Sequence, residues 1–519
     1  KNGYIHKVDG VMTSADNMAG IIGSHANMSL FSRLLNRFSA PYYDDDATKA
    51  YNRLYNNTDS VFVLKYFSPT RAENDPSGMP VEAMLSFDPG WNQYSVGSGV
   101  NYDAGAIIVP SNEALDFWWN HDGKVLQDMY KTWDNVPMTV LVKLMNIGMV
   151  NSFSETVPSK FQNIVDNTTK VSLGVQKADI DSCFMGCNGV VYLSNKVFTP
   201  ADYSSVSFPA LVNEQTMNII YWAISNLNFE PYLNSMDSYY SFFIPTNDAM
   251  LTYVDPCSYG TSTQKLYKFY YDYEAKTVKA KIYRYDLSTN TIIDEKEMGT
   301  ATSTMITNRL TDLLNNLIVI GNVEDGKTYY KTKAGSYLKV ANSGKEGVMT
   351  VSGGLQVEQG SSVPVQTIYD QTVSGNGKSY IMDTAMPLTS RRSTYSILSN
   401  NEEYAKFFTL MRNSDLFTQK LSAKYTCADY NIKLFDAYNY TIYVPTNESI
   451  EKLHEQGLLP YWTDVEELTA DYFGGDANLL KSAQKLLTDR INNFLRYHIQ
   501  DNSVIIGGLD NSEVKYETF

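Results

Sequence analysis

The side chains that could do chemistry are thinly spread along this sequence. Its histidines, His6, His25, His121, His454 and His498, form no His-Glu-x-x-His and no adjacent ligand pair, and no thiol cluster stands at zinc spacing. A nucleophile elbow, a phosphate-cradling glycine loop and a dinucleotide glycine run are all missing from the sequence. The acid pairs Glu402-Glu403 and Glu466-Glu467 fall at polar helix positions, the pattern of a solvated face rather than of two carboxylates flanking a glycosidic bond. Phe117-Trp118-Trp119 is the densest aromatic run; an exposed indole there would stack on a sugar, but a helix covering a sheet would bury it. The expectation is a protein that is not an enzyme and that needs no cofactor and no metal.

Bulk properties narrow the class further. At 519 residues the chain exceeds one ordinary core and divides naturally into three domains. With 43% hydrophobic and 19% charged residues it reads as folded protein, and no apolar run approaches the roughly 18 residues of a membrane helix. A formal charge of -15 excludes a nucleic-acid partner, which needs clustered Lys and Arg. The 39 tyrosines suit half-buried sheet positions and binding faces alike. Four cysteines are too few for a disulfide scaffold; Cys183 and Cys187 could meet across a turn or remain separate thiols, while Cys257 and Cys427 belong to different domains.

The elements that organise the chain recur. Three times a short apolar strand runs into a proline and a polar helix start, at 107–114, 242–249 and 442–449, with Pro110-Ser111-Asn112, Pro245-Thr246-Asn247 and Pro445-Thr446-Asn447 at the corner. Proline ends the strand ladder, and Ser or Thr caps a helix whose first turn carries an acid. Helical spacing precedes each corner (Met28 to Phe38, Ile219 to Leu227, Tyr404 to Met411), and a second apolar helix follows it at 140–146, 310–316 and 491–498. A closing strand headed by Gly with positive φ is expected at 188–198 and 377–387, and the same pattern begins the chain as Asn2-Gly3-Tyr4-Ile5-His6-Lys7-Val8-Asp9.

These corners, the helix end Tyr497-His498-Ile499 and the closing strands resemble the boxes of the fasciclin domain family. The resemblance implies an α+β fold of tandem units, each a wedge of β-sheet with packed helices. It implies a closing strand of a preceding domain at 1–13, a unit at 14–203 with an insertion at 44–104, a unit at 204–389 with a β-ribbon insertion at 257–303, and a unit at 390–519 without its closing strand. The first two units place Asn146 and Asn315 or Asn316 where the family usually has histidine; only His498 keeps it, and a structural bond to nearby backbone is expected of it. The family serves adhesion and binding at surfaces. The large inserts and Tyr/Asn-rich composition look like the fasciclin lipoproteins of Gram-negative envelopes. The chain then sits on the extracellular face of the outer membrane, held by a lipid anchor outside this sequence. There it is an accessory subunit of a complex such as a TonB-dependent nutrient importer. A surface protein that binds polysaccharide is the alternative, and a glycan-acting hydrolase the second. Asp59-Ser60-Val61 and Asp383-Thr384-Ala385 resemble short O-glycan acceptors of bacterial envelope proteins, and Asn167-Thr168-Thr169 is an N-glycan triplet.

The insertions are where such units diverge. The first carries Asp44-Asp45-Asp46, a strand-like 60–67 and a turn-rich 73–78. In the second, alternation over 262–295 predicts a protruding two-stranded ribbon with Tyr267, Phe269, Tyr271 and Tyr273 on one side and Lys279, Lys281 and Tyr283 on the returning strand. Those seven residues are the expected partner-binding surface, and the nine corner residues are expected to be structural.

Overall fold

The computed structural model describes residues 5–10, 15–69, 83–90, 105–166, 170, 172–259, 263–372, 375–392, 394–418, 431–432, 440–501 and 504. The chain packs as two compact units, one of 1–212 with 228–237 and 371–376, the other of 213–227, 238–370 and 377–519. Of the opening segment, residues 5–10 are irregular and exposed, so the strand expected there is not formed among them. The turn at 73–78, the triplet at 167–169 and Cys427 lie outside the described residues.

The first unit begins with α1 (Met18–Ser24), α2 (Ser29–Leu35), β1 (Ser39–Tyr43), α3 (Asp45–Tyr55) and β2 (Phe62–Tyr66). The corner follows as β3 (Gly105–Pro110) and α4 (Asn112–Asn120), then α5 (Lys124–Tyr130), α6 (Met138–Asn146), β4 (Met149–Val150), β5 (Ile180–Gly186) and β6 (Gly189–Ser194). β3 lies between β4, antiparallel, and β6, parallel, in the order β4-β3-β6-β5. Nearly every residue of β3 and β6 is buried, which is why both read as continuous apolar runs rather than as alternation. Trp118 and Trp119 are core, with Trp119 stacked on Trp133 at 4.1 Å, whereas Phe117 is exposed.

The chain continues through α7 (Ala201–Ser204), α8 (Phe208–Val212), α9 (Glu214–Asn226) and α10 (Glu230–Leu233); α9 belongs to the second unit and the others to the first. The second corner strand is β7 (Tyr240–Pro245). β8 (Tyr253–Val254), β9 (Gln264–Asp272), β10 (Thr277–Asp286) and β11 (Thr291–Thr300) then make a four-stranded antiparallel sheet, so the expected two-stranded ribbon is a longer meander. α11 (Ser303–Leu317), β12 (Ile318–Ile320), β13 (Tyr329–Lys331), β14 (Tyr337–Ala341), β15 (Thr350–Ser352), α12 (Gly354–Gln359), β16 (Val363–Pro364), β17 (Thr367–Asp370) and β18 (Gly377–Met382) complete this repeat. β7 again sits between an antiparallel strand that follows a helix, β12, and a parallel closing strand, β18.

The last repeat has α13 (Thr394–Ser399), α14 (Ala405–Arg412), β19 (Phe417–Thr418), β20 (Asn431–Ile432), β21 (Tyr440–Ile442), α15 (Asn447–Glu455), α16 (Trp462–Glu467), α17 (Ala477–Tyr497) and β22 (Ile499–Asp501). β21 pairs antiparallel with β22, the strand that follows α17. Its core gathers Phe407, Leu410, Met411, Ile450, Ile491 and Leu495. The fold is therefore α+β, and one corner plan recurs three times within it.

Candidate functional site

The serine and the two threonines at the corners do not act alike. Ser111 Oγ accepts from the Ala114 N–H at 3.1 Å and Thr446 Oγ1 from the Ser449 N–H at 3.3 Å, both as helix caps. Thr246 caps nothing: β7 leads instead into a single 3-10 turn at Ala249–Thr252, and the Thr246 hydroxyl reaches Asp383 O at 3.4 Å. The asparagine beside each has a role that the motif alone did not disclose. Asn112 accepts from Leu30 N at 2.9 Å and donates to Ala26 O at 2.9 Å. Asn247 accepts from Ile219 N and donates to Gln215 O; Asn447 accepts from Lys406 N at 3.0 Å and donates to Glu402 O at 2.7 Å. Each side chain thus accepts from a backbone N–H at or near the start of the preceding helix and donates to a carbonyl of the same segment; Ala26 O and Glu402 O also accept the N–H groups of Ser29 and Ala405. His498 Nδ1 lies 2.8 Å from Phe494 O, consistent with a structural role, and Asn146 bridges Ser86 N and Met84 O.

The seven ribbon residues do not share one surface. Register pairs Phe269 with Ala280 and Tyr267 with Ile282, and this face is buried, with α9 and α11 packed on the sheet. Tyr267 and Phe269 are therefore core residues and not partner contacts. Tyr271 is half-buried; Tyr273 is exposed, but its hydroxyl accepts from Asn218 Nδ2 at 2.9 Å. The opposite face is laced with charge: Lys279 meets Asp272 at 2.6 Å, Lys281 meets Glu297 at 3.2 Å, and Lys268 lies over the Tyr283 ring. Its base is fastened by Asp255, which is almost fully buried and takes Arg309 Nε from α11 at 2.7 Å. Alternation identified the strands, but it cannot say which face a helix will cover.

Exposed apolar side chains gather instead on the first insertion and on Tyr43, which immediately precedes it. Tyr43 and Phe62 face each other across β1 and β2 with ring centroids 6.0 Å apart, Leu64 projects from the same strand face as Phe62, and all three are about half exposed. On α3, Tyr51 and Tyr55 pack ring to ring at 4.7 Å beside Leu54, which is 74% exposed. Asp44 caps α3 through the Ala47 N–H, with Asp45 and Asp46 in its first turn, so the acidic run is a helix start.

A buried charged cluster is the other unusual feature of the first unit. Lys143 of α6 stands 2.8 Å from Glu230 and 3.2 Å from Asp202, and Asp202 also accepts from Asn234 Nδ2. One ammonium serves two carboxylates, and burial together with Asp202 pushes the Glu230 carboxyl above its ordinary range. The network ties α6 to α7 and α10, a structural task.

Among the described residues no three His, Cys, Asp or Glu side chains are placed to hold a metal ion, and no helix is long and apolar enough to cross a membrane. Cys183 and Cys187 are not joined by a disulfide; Ser60 and Thr384 are exposed, Thr384 just beyond the end of β18. Glu402, Glu403, Glu466 and Glu467 are solvent-facing.

No protein-family model matches the chain, and no curated protein is a significant match. Among solved structures it is similar to a FAS1 domain pair from the insect cell adhesion molecule fasciclin I, with 13% identity, a TM-score of 0.22, and 55% of this chain and 88% of that one covered.

Proposed function

We propose that the protein is a non-enzymatic binding and adhesion protein whose protein-contact face is carried by the insertion of the first repeat. The exposed cluster of Tyr43, Phe62 and Leu64, with Tyr51, Leu54 and Tyr55 on α3, carries this reading. Apolar side chains scattered singly need no explanation, but clusters of them mark contact surfaces. The insertion lies outside the strand-corner-helix plan that recurs in the chain, so it is free to serve another purpose. Asp44, Asp45, Asp46 and Asp59 lie along the same segment, which suits a partner face that is apolar at its centre and basic at its rim.

The wider reading is an accessory subunit of an outer-membrane complex such as a TonB-dependent importer, on the extracellular face and anchored by lipid. Its support is the resemblance of the inserts and composition to envelope fasciclin lipoproteins. The test is purification from envelopes in mild detergent, comparing the native chain with a variant carrying Leu54→Lys and Phe62→Lys. An outer-membrane barrel that accompanies the native chain and is lost from the variant, at unchanged melting temperature, is the expected result. A chain that purifies alone, or a barrel retained by the variant, overturns the proposal.

A further inference from the structure

The last repeat holds a cleft of about 340 Å³ between α14 and the start of α16, lined by Leu410, Thr409, Asn413, Tyr461, Trp462 and Glu466 among others. Its volume is at the lower end of small-molecule sites, which run from about 300 to 1,000 Å³. The aromatic wall is held from behind. Trp462 Nε1 donates to Leu410 O at 2.8 Å, near the C-terminal end of α14, where helix carbonyls lack intrahelical partners. Asp464 Oδ2 accepts from the Tyr461 N–H at 2.7 Å and meets His454 Nε2 at 2.9 Å, which stacks the imidazole on the Tyr461 ring at 3.9 Å. Both rings are therefore positioned without a ligand, the condition for binding with little ordering cost.

The rim decides what class of ligand fits. Lys406 is paired with Glu451 at 3.0 Å, and Glu466 adds negative charge, so an anion finds no open cation. The same ammonium lies 5.4 Å from the Tyr461 ring centroid, where a quaternary ammonium ligand would have to sit. A purely apolar ligand would strip water from Asn413, Thr463 and Glu466, all exposed, without replacing its hydrogen bonds. We infer that this cleft binds a neutral sugar ring, its C–H face against the Trp462 indole and its hydroxyls bonded to the Asn413 amide, the Glu466 carboxylate and the Thr463 hydroxyl. This goes beyond the protein-contact face of the first repeat and is independent of it.

Ligand-observed saturation-transfer NMR on the full chain tests it with maltotriose, cellotriose, mannotriose, xylotriose and chitotriose, with choline and glucuronate as contrasts. At least one neutral trisaccharide is expected to bind, and its affinity to fall about tenfold in Trp462→Ala. Because Trp462 also supports α14, Asn413→Ala and Glu466→Gln on the exposed rim are measured beside it and are each expected to weaken binding severalfold at unchanged melting temperature. Binding of none of the neutral sugars, binding that both rim variants leave intact, or preference for choline or glucuronate overturns the assignment.

Discussion

Asn447 receives one backbone N–H and gives one N–H to a backbone carbonyl, so its replacement by Ala takes that acceptor from the Lys406 N–H and removes one of the two bonds to Glu402 O, which still accepts from the Ala405 N–H. Asn447→Ala is expected to cost about 1–2 kcal/mol in urea melts. Thr446→Ala is expected to cost about 1 kcal/mol, the loss of one cap; Thr246→Ala removes no cap and is expected to cost less. Prolines and caps were readable because their effect is local, whereas the asparagine's partners lie 41 and 45 residues away and pattern alone does not reveal them. The charged cluster was hidden for the same reason: Lys143, Asp202 and Glu230 are unremarked singly and meaningful only together. Glu230 is held above its ordinary range in the fold, so the folded state keeps a proton there that the unfolded chain releases. Stability should therefore fall as pH rises from the ordinary carboxylate value through the folded one, with the penalty fully present above it. Glu230→Gln should flatten that slope in urea melts repeated across the acid-to-neutral range. Lys143→Met leaves two carboxylates facing each other in a buried site and is expected to cost about 3–5 kcal/mol at neutral pH.

The sheet of β8 to β11 shows what alternation does and does not convey. Val278, Ala280 and Ile282 were legible as one face and the lysines as the other, and the register keeps that division. Which face meets helices depends on α9 and α11, which lie on either side of the insertion in sequence. The third strand was missed because Asp294, Lys296 and Glu297 interrupt its apolar positions; charges of this kind protect an edge strand from pairing with other chains. Tyr267→Ala empties a fully buried position and is expected to cost about 3–5 kcal/mol by thermal or urea unfolding. Tyr273→Ala loses one bond at an exposed ring and should cost under about 1.5 kcal/mol. Excising 263–300 is likewise expected to lower the melting temperature sharply, because α9 and α11 would lose their cover.

At the scale of the molecule, the threefold recurrence was legible because each copy repeats the same local sequence of apolar run, proline, hydroxyl residue and asparagine, although only the first and last copies turn it into a cap and an α-helix. The grouping into compact units was not, since it depends on side-chain clusters such as that around Lys143. Separate cores in the first and last repeats, around Tyr192 and around Phe407, imply that heat does not melt the chain as one cooperative body. Scanning calorimetry is expected to give a measured enthalpy larger than the van't Hoff value. The closing strands carry a further consequence. Gly189 and Gly377 begin β6 and β18 at φ of 155° and 148°, and a Cβ at either would fall 2.2 Å from Gly105 O or 1.9 Å from Tyr240 O, so the glycine is obligatory. Asparagine before glycine is chemically fragile: the glycine nitrogen attacks the side-chain carbonyl, expels ammonia and closes a succinimide. Here both asparagines are buried and fastened, Asn188 to Met18 N and Pro89 O, Asn376 to Val206 N, Leu233 O and Ser235 O. The fold thus acts as a preservative for its own weakest bonds, and isoaspartate accumulating at Asn188 or Asn376 in aged samples would serve as a chemical clock of how often each repeat opens.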